Sequence, residues 1–377
     1  MRALRRPHTS ETIGNNAQIS RMNSTTLHDR LAGILLGTAV GDALGLPAEG
    51  LSPQRRRRLF PGPWRHRLVF GLGMVSDDTE HTFFVAQALL KYPDDAMAFQ
   101  CCLAWHLRWW LVGLPAGIGR ATARACIRLC LGFPPTRSGV FSAGNGPAMR
   151  SAILGGYFCY DPKTLESFVR ATTKITHTDP KALTGALVVA RLAAWAVDHD
   201  ASEPPSTEEL DQLLTITVAD PQWHDLVSQI KEAISAGATV RQFAASLGLE
   251  KGVTGYIYHT VPVVIYAWLR HYGDFRGTVE AVLDCGGDAD TTGAIAGALA
   301  GATVGASRIP GDWLAGIADW PRSVGLLRRV AGRLARQQEE KQTLGPVSYC
   351  WVGILPRNLL FLTIVLAHGF RRLAPPY

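Results

Sequence analysis

Apolar residues recur at helical spacing from residue 27 to about residue 310, and Gly, Pro and Ser punctuate the stretches between. Residues 31–40 are apolar and small. Residues 82–90 continue a helix that opens at Ser76. Residues 182–197 form a strong helical pattern, with Asp179 placed to cap it and Pro180 in its first turn. Residues 261–269 and 291–304 read as further apolar helices. No train of alternating β-branched segments separated by hairpin turns is present. The pattern predicts an all-α protein. Residues 200–255 are more polar, start with Glu203, Glu208, Glu209 and Asp211, and read as peripheral helices without chemistry of their own.

The two ends depart from this pattern. Residues 1–26 are polar, contain Arg and lack the apolar stretch of a secretory signal, so they read as a disordered tail or an over-extended start ahead of Met22. Residues 351–370 are nearly all apolar, interrupted by Pro356, Arg357 and Asn358. The longest clean run, 359–367, falls short of the roughly 20 residues a membrane-spanning helix needs. A segment packed on the domain or a partner is therefore favoured over a membrane-surface anchor. The layout is a tail (1–26), one domain (27–340) and an apolar segment without assigned role (341–377).

Composition narrows the class. In 377 residues, 47% are hydrophobic and 18% charged, which suits a substantial core and excludes general disorder. The net charge of +7 is carried in part by Arg55–58, by Arg65 and Arg67 around His66, and by the Arg-rich stretch 328–336. No nucleic-acid module accompanies these clusters, and a solvated basic surface accounts for them. The 7 cysteines are odd in number and contain no CxxC, which argues for reduced core thiols in a cytoplasmic protein over disulfides or a zinc site.

Five motifs carry candidate chemistry. Ser76-Asp77-Asp78-Thr79 opens the 82–90 helix. Adjacent carboxylates repel, and a bound Mg²⁺ or Mn²⁺ would remove that cost. Helix capping is an equally good local explanation. Gly286-Gly287-Asp288-Ala289-Asp290-Thr291-Thr292 opens another helix. Its paired glycines permit an unusual backbone path. The helix that follows is rich in small residues although Gly costs about 1 kcal/mol against Ala, which makes sense if a neighbouring helix packs very close. Capping explains one Asp here, but not two with the glycines. Together the two motifs hold the inventory for a pair of divalent cations about 3.5–4 Å apart, their outer oxygens oriented by the helices' own N–H groups.

The other three motifs are weaker alone. Gly41-Asp42-Ala43-Leu44-Gly45 is followed by Glu49, a candidate general base or metal-linked carboxylate that is by itself more simply an ordinary surface Glu. Gly144-Asn145-Gly146 and the loop containing Gly117 and Gly119 lead towards helices and could present N–H groups to phosphates, although neither matches a Walker pattern. Thr176-His177-Thr178-Asp179-Pro180 puts His177 at a helix boundary, where it serves substrate or structure equally well.

In this order and spacing, the stretches from Gly33 to Glu49, Ser76 to Thr82, Gly144 to Arg150, Thr176 to Pro180 and Gly286 to Gly305 resemble the ADP-ribosylglycohydrolase family, which includes the dinitrogenase-reductase-activating glycohydrolases. The resemblance covers about residues 28–306. It implies a compact orthogonal all-α bundle, two Mg²⁺ or Mn²⁺ ions, and hydrolytic removal of ADP-ribosyl groups from a protein, nucleic-acid or small-molecule acceptor. It implies metal ligands at Ser76 (Thr in many members), Asp77, Asp78, Asp288, Asp290 and Thr291, and catalytic roles for Glu49 and Asp78. Gly117, Gly119, Gly144, Asn145, Gly146 and His177 would line the ADP-ribose site. Gly117 stands where some arginine-directed members carry an acidic residue, which weakens the case for ADP-ribosyl-arginine as substrate. A non-catalytic ADP-ribose-binding protein is the alternative. An isoprenoid-synthase reading of Asp77-Asp78 is opposed by the second motif.

Overall fold

The computed structural model describes residues 24–215 and 220–372. Most of the tail expected at 1–26 lies outside the described residues. Those described are built from α-helices and short 3₁₀ turns, joined by isolated β-bridges rather than a sheet. The principal helices are α1 (Ser24–Gly45), α2 (Asp77–Lys91), α3 (Ala96–Val112), α4 (Arg120–Cys130), α5 (Pro162–Thr176), α6 (Pro180–Asp198), α7 (Ile257–Arg270), α8 (Ala289–Val304), α9 (Val324–Glu340) and α10 (Ile354–Arg371). Asp179 caps α6 by accepting from the Lys181 N–H, and Pro180 opens it.

The pairing of α1 with α8 organises the bundle. Along α1, glycine recurs every fourth residue at Gly33, Gly37, Gly41 and Gly45, which places them on one face. They face Gly301, Gly297, Gly293 and Ala289 of α8, so the helices run antiparallel. A Cβ on Gly37 would stand 2.0 Å from the Gly297 carbonyl oxygen, and one on Gly297 would stand 2.1 Å from that of Gly37. No side chain fits between these backbones. This is the close neighbour that the small residues of α8 anticipate. Both helices are buried through nearly their whole length within one continuous core.

Residues 200–255 do fold into short outer helices, two of them opened by capping boxes at Ser206 and Thr239. Trp223 and Phe243 anchor them in the core. The C-terminal segment differs from the sequence reading. Pro356, Arg357 and Asn358 do not interrupt it: α10 is continuous. Pro356 sits in the first turn, where its missing N–H has no helical partner to lose. Arg357 and Asn358 are the buried face. The 7 cysteines form no disulfide, but only Cys126 and Cys285 are buried, while Cys101, Cys130 and Cys350 are exposed rather than core thiols.

Candidate active site and metal centre

The antiparallel glycine contact brings the C-terminal end of α1 beside the N-terminal end of α8. The N-terminus of α2 joins them, and a cleft of about 760 Å³ opens there. Glu49, Asp77, Asp288, Asp290 and Thr291 all line it. Ser76 and Asp78 do not: both are buried behind the cleft surface. Ser76 Oγ and Thr291 Oγ1 each donate to Asp78 Oδ2 at 3.3 Å, which ties the first motif to the second across more than two hundred residues of chain. Asp78 is thus fully buried and set back from the cleft surface.

Capping does not explain the carboxylates. No side-chain cap is made by Ser76 on α2 or by Asp288 on α8. Two N–H groups at the start of α2, those of Ser76 and Thr79, go instead to Asp42, from the last turn of α1. Its carboxylate accepts from Ser76 N at 2.8 Å, from Thr79 N at 3.2 Å and from Thr79 Oγ1 at 2.5 Å. The expectation that the helix N–H groups orient the motif's own carboxylates is thus corrected for α2. Asp42 uses those groups, and Asp77 and Asp78 are left for something else. The paired glycines behave as anticipated. Gly286 and Gly287 have φ of +67° and +84°, and a Cβ on Gly287 would stand 2.0 Å from the Val253 carbonyl oxygen. Only glycine lets the chain thread between Leu51 and Val253, to both of which it hydrogen-bonds, before α8 begins.

The electrostatics is severe. Burial pushes Asp77 well above the usual carboxylate range, with the charges of Asp42, Glu80, Glu49 and Asp288 adding to it. Burial does the same to Asp78, reinforced by Asp77, and to Asp290, reinforced by Glu49. Asp288 is raised by burial against the opposing hydrogen bond from Asn145. Glu49 is raised by burial and by Asp288, with Arg372 opposing. Asp42 is pushed to about 6 by burial in spite of its hydrogen bonds. Asp78 Oδ1 and Asp290 Oδ1 are buried without a hydrogen-bond partner among the described residues. Unsatisfied buried carboxylate oxygens are expensive unless a cation meets them. The donor set, carboxylates with the hydroxyls of Ser76 and Thr291, is the chemistry of a hard divalent cation. Among the described residues, no three Asp, Glu, His or Cys side chains already converge as a complete metal cage. A divalent cation held here would need the Ser76 and Thr291 hydroxyls as well as the carboxylates.

The loops expected to meet phosphates reach the same cleft. Gly117 and Gly119 line it on one side, with Arg120 beside them, and Gly119 begins α4 without a side-chain cap. Gly144, Asn145, Gly146 and His177 line it on another. Asn145 Nδ2 donates to Asp288 Oδ2 at 2.6 Å and to Thr260 Oγ1 at 3.0 Å, so it positions the Asp288 carboxylate besides facing the cleft. His177 packs beneath the Gly144–Gly146 loop, where a Cβ on Gly144 would stand 2.9 Å from its Nε2. Burial, with the Arg150 charge adding, pushes the His177 imidazole down to about 3, so it is neutral at ordinary pH.

Several residues escape the sequence reading. Asp42 is one in its role: the third motif contains it but gives it none, although an anion in the last turn of a helix opposes the dipole there and is itself a signal. Glu80 is a second. It accepts from Trp110 Nε1 at 2.6 Å and pairs with Arg322 and Arg357, all buried. Arg357, on α10, also pairs with Asp319 and donates to the Val75 carbonyl at 2.5 Å, immediately before the Ser76 motif. Arg372 donates to the carbonyls of Pro47 at 2.8 Å and Glu49 at 2.6 Å, holding the turn that carries Glu49. The last is the loop from Lys251 to Tyr256. It lines the cleft and accepts the Asn145 N–H at Gly255 O, 3.0 Å away, so residues 200–255 are not wholly peripheral.

Helix termini presenting clustered carboxylates to a glycine-walled cleft define the class, and comparison with known proteins agrees. Residues 23–343 match the family model for ADP-ribosylglycohydrolase. This chain belongs to the ADP-ribosylglycohydrolase family. It is similar to an uncharacterized protein of Archaeoglobus fulgidus, 30% identical over 304 residues that cover 78% of this chain and 93% of the other. The ADP-ribosyl-[dinitrogen reductase] glycohydrolase of Rhodospirillum rubrum is 29% identical over 304 residues, covering 78% of this chain and 92% of its own. A solved structure described as an ADP-ribosylglycohydrolase-related protein complex superposes with a TM-score of 0.57 at 29% identity, covering 83% of this chain and 99% of that one. The family supports hydrolytic removal of ADP-ribose as the general activity.

Proposed function

We propose that this protein is a divalent-metal-dependent hydrolase that cleaves the bond between C1″ of an ADP-ribosyl group and its acceptor. The observation that carries the reading is the pair of buried, unpartnered oxygens, Asp78 Oδ1 and Asp290 Oδ1, in a carboxylate cluster that capping does not account for. Ser76, Asp77, Asp78, Asp288, Asp290 and Thr291 would hold two Mg²⁺ or Mn²⁺ ions. Such ions supply positive charge for ribose hydroxyls and lower the pKa of an attacking water.

The chain's own groups do the rest. Gly117, Gly119 and the uncapped start of α4 on one side, and the Gly144–Gly146 loop on the other, hold the diphosphate. Glu49 lines the cleft with its pKa raised, which suits it to take the proton as water adds to C1″ and the bond to the acceptor breaks. Asn145 fixes Asp288. Neutral His177 supports the Gly144–Gly146 loop and faces the substrate without adding charge. Gly117 is exposed, with nothing within 4 Å of an added Cβ, and puts no carboxylate there to receive a guanidinium. This weakens the case for ADP-ribosyl-arginine as the substrate.

Calorimetric titration with Mg²⁺ and Mn²⁺ tests the metal role apart from turnover. Binding that disappears in Asp290→Asn supports it, and unchanged heats in that variant refute it.

A further inference from the structure

Helix α10 is built inside out for a water-facing helix. Its polar residues point inward. Arg357 is held by Glu80, Asp319 and the Val75 carbonyl; Asn358 Nδ2 donates to the Gly113 carbonyl at 2.7 Å; and His368 Nε2 donates to the Leu68 carbonyl at 2.6 Å. The outward face is apolar: Leu355, Leu359, Leu362, Leu366 and Phe370 are 36–70% exposed. Thr363, the polar residue on that face, turns its hydroxyl back to its own helix at Leu359 O, 2.9 Å away. An ordinary surface helix shows the opposite arrangement.

The apolar surface continues on both sides of α10. At its start, α10 meets the end of α3 through Asn358 and Gly113, and there Trp109, Val112 and Leu114 are exposed. Towards its end, His368 ties it to the turn after Leu68, whose tip residue Phe70 is fully exposed with φ of +48°. A contiguous exposed apolar surface of this kind marks a binding face rather than chance.

Charge indicates the occupant. The segments that build this face, residues 50–76, 96–118 and 341–372, contain no Asp or Glu. The acidic groups that α10 does meet, Glu80 and Asp319, are buried against Arg357. Exposed Arg57, Arg58, Arg65 and Arg371 lie in the same segments, and Arg55 on the short helix Pro53–Leu59 hydrogen-bonds to Arg372 O at the end of α10. Asp284, from outside these segments, pairs with Arg56 of that short helix at 3.7 Å. An apolar stripe with exposed Trp and Phe, beside segments that carry exposed Arg and no Asp or Glu of their own, is complementary to an anionic lipid surface.

We infer that the α10 face docks this protein in the plane of a membrane carrying anionic headgroups. Of the three described helices long and apolar enough to cross a bilayer, two lie mostly or wholly in the core, and the α10 region is only 22% buried. It lies along the surface rather than spanning, because its inward Arg357, Asn358 and His368 are tied to the domain. At about 1.5 Å per residue its 18 residues offer a stripe about 27 Å long.

The test is flotation of the full chain with vesicles of phosphatidylcholine plus phosphatidylglycerol, and with phosphatidylcholine alone. The wild type is expected to float with the anionic vesicles and less with neutral ones. Leu359→Glu combined with Leu366→Glu, at exposed positions, should weaken binding by about tenfold or more. Arg57→Glu with Arg65→Glu leaves α10 untouched and should weaken anionic-vesicle binding selectively. Absence of flotation by a folded wild type overturns the inference, as does flotation of both variants undiminished from the wild type. A wild-type dimer in sedimentation that Leu359→Glu and Leu366→Glu dissolve assigns the face to a second copy and also overturns it.

Discussion

A Cβ on Gly41 would stand 1.9 Å from the carbonyl oxygen of Gly293, so α1 and α8 touch backbone to backbone next to Asp42 and the turn that carries Asp288 and Asp290. The site's geometry rests on this contact. Gly41→Ala and Gly297→Ala must push the helices apart, and each should destabilise the fold by about 3 kcal/mol or prevent folding, at the upper end of overpacking effects. Gly119→Ala, where an added Cβ meets nothing within 4 Å, should leave stability unchanged. Urea unfolding of the three variants checks this, and equal stability of all three contradicts it.

The carboxylate cluster gives a pH dependence with a definite sign. Asp290 is raised well above 3.8 in the folded protein, so the native state binds this proton more tightly than the unfolded chain. In chelator its contribution to stability therefore falls as pH rises from near 4 through its elevated folded value. Asp290→Asn removes that loss. Without metal, the melting temperature of Asp290→Asn relative to wild type should climb between pH 5 and 8 (about one side of neutrality to the other). With saturating Mg²⁺ the order should reverse, because the wild type keeps its ligand. A difference independent of both pH and metal would show that Asp290 is not part of the cluster.

Asn145 bridges Asp288 and Thr260, and positioning groups of this type typically contribute 10- to 100-fold to metal affinity, so Asn145→Ala should weaken Mg²⁺ binding by roughly that factor. Calorimetry reads the affinity, and circular dichroism should show the fold intact. Unchanged affinity would leave Asn145 a cleft-lining residue only.

Arg357 compensates two buried carboxylates, Glu80 and Asp319. Arg357→Met leaves them facing each other with Arg322 alone beside Glu80, and should cost about 3–5 kcal/mol in denaturant unfolding. A loss below about 1 kcal/mol would place the pair among ion pairs of little net worth.

What the sequence reveals here is what local spacing encodes. The Asp77-Asp78 and Asp288–Asp290 motifs, the helices around them and the need for a close neighbour at α8 are all written within a few residues of each other. The role of Asp42, though the residue stands in the third motif, is not legible because the N–H groups it serves lie 34 and 37 positions away. Arg322 and Arg357 reach Glu80 across 242 and 277 positions, a separation no periodicity reports. The sequence pattern breaks α10 at Pro356–Asn358, because polar residues ordinarily mark a turn or an outer face. Here tertiary partners draw them inward, and the apolar residues that imply burial are outside. Gly117, Gly119 and the Gly144–Gly146 loop were legible as loops, but only folding shows that they share one cleft with the carboxylates.

The most direct test of metal-dependent ADP-ribosyl hydrolysis is release of free ADP-ribose from a panel of ADP-ribosylated acceptors (arginine, serine, nucleic-acid ends and small conjugates) with Mg²⁺, Mn²⁺ or EDTA. Release from at least one acceptor with metal, none in EDTA, and loss of turnover in folded Asp78→Asn and Asp290→Asn is the expected result. Full release in EDTA, or tight ADP-ribose binding without release from any acceptor, would contradict it.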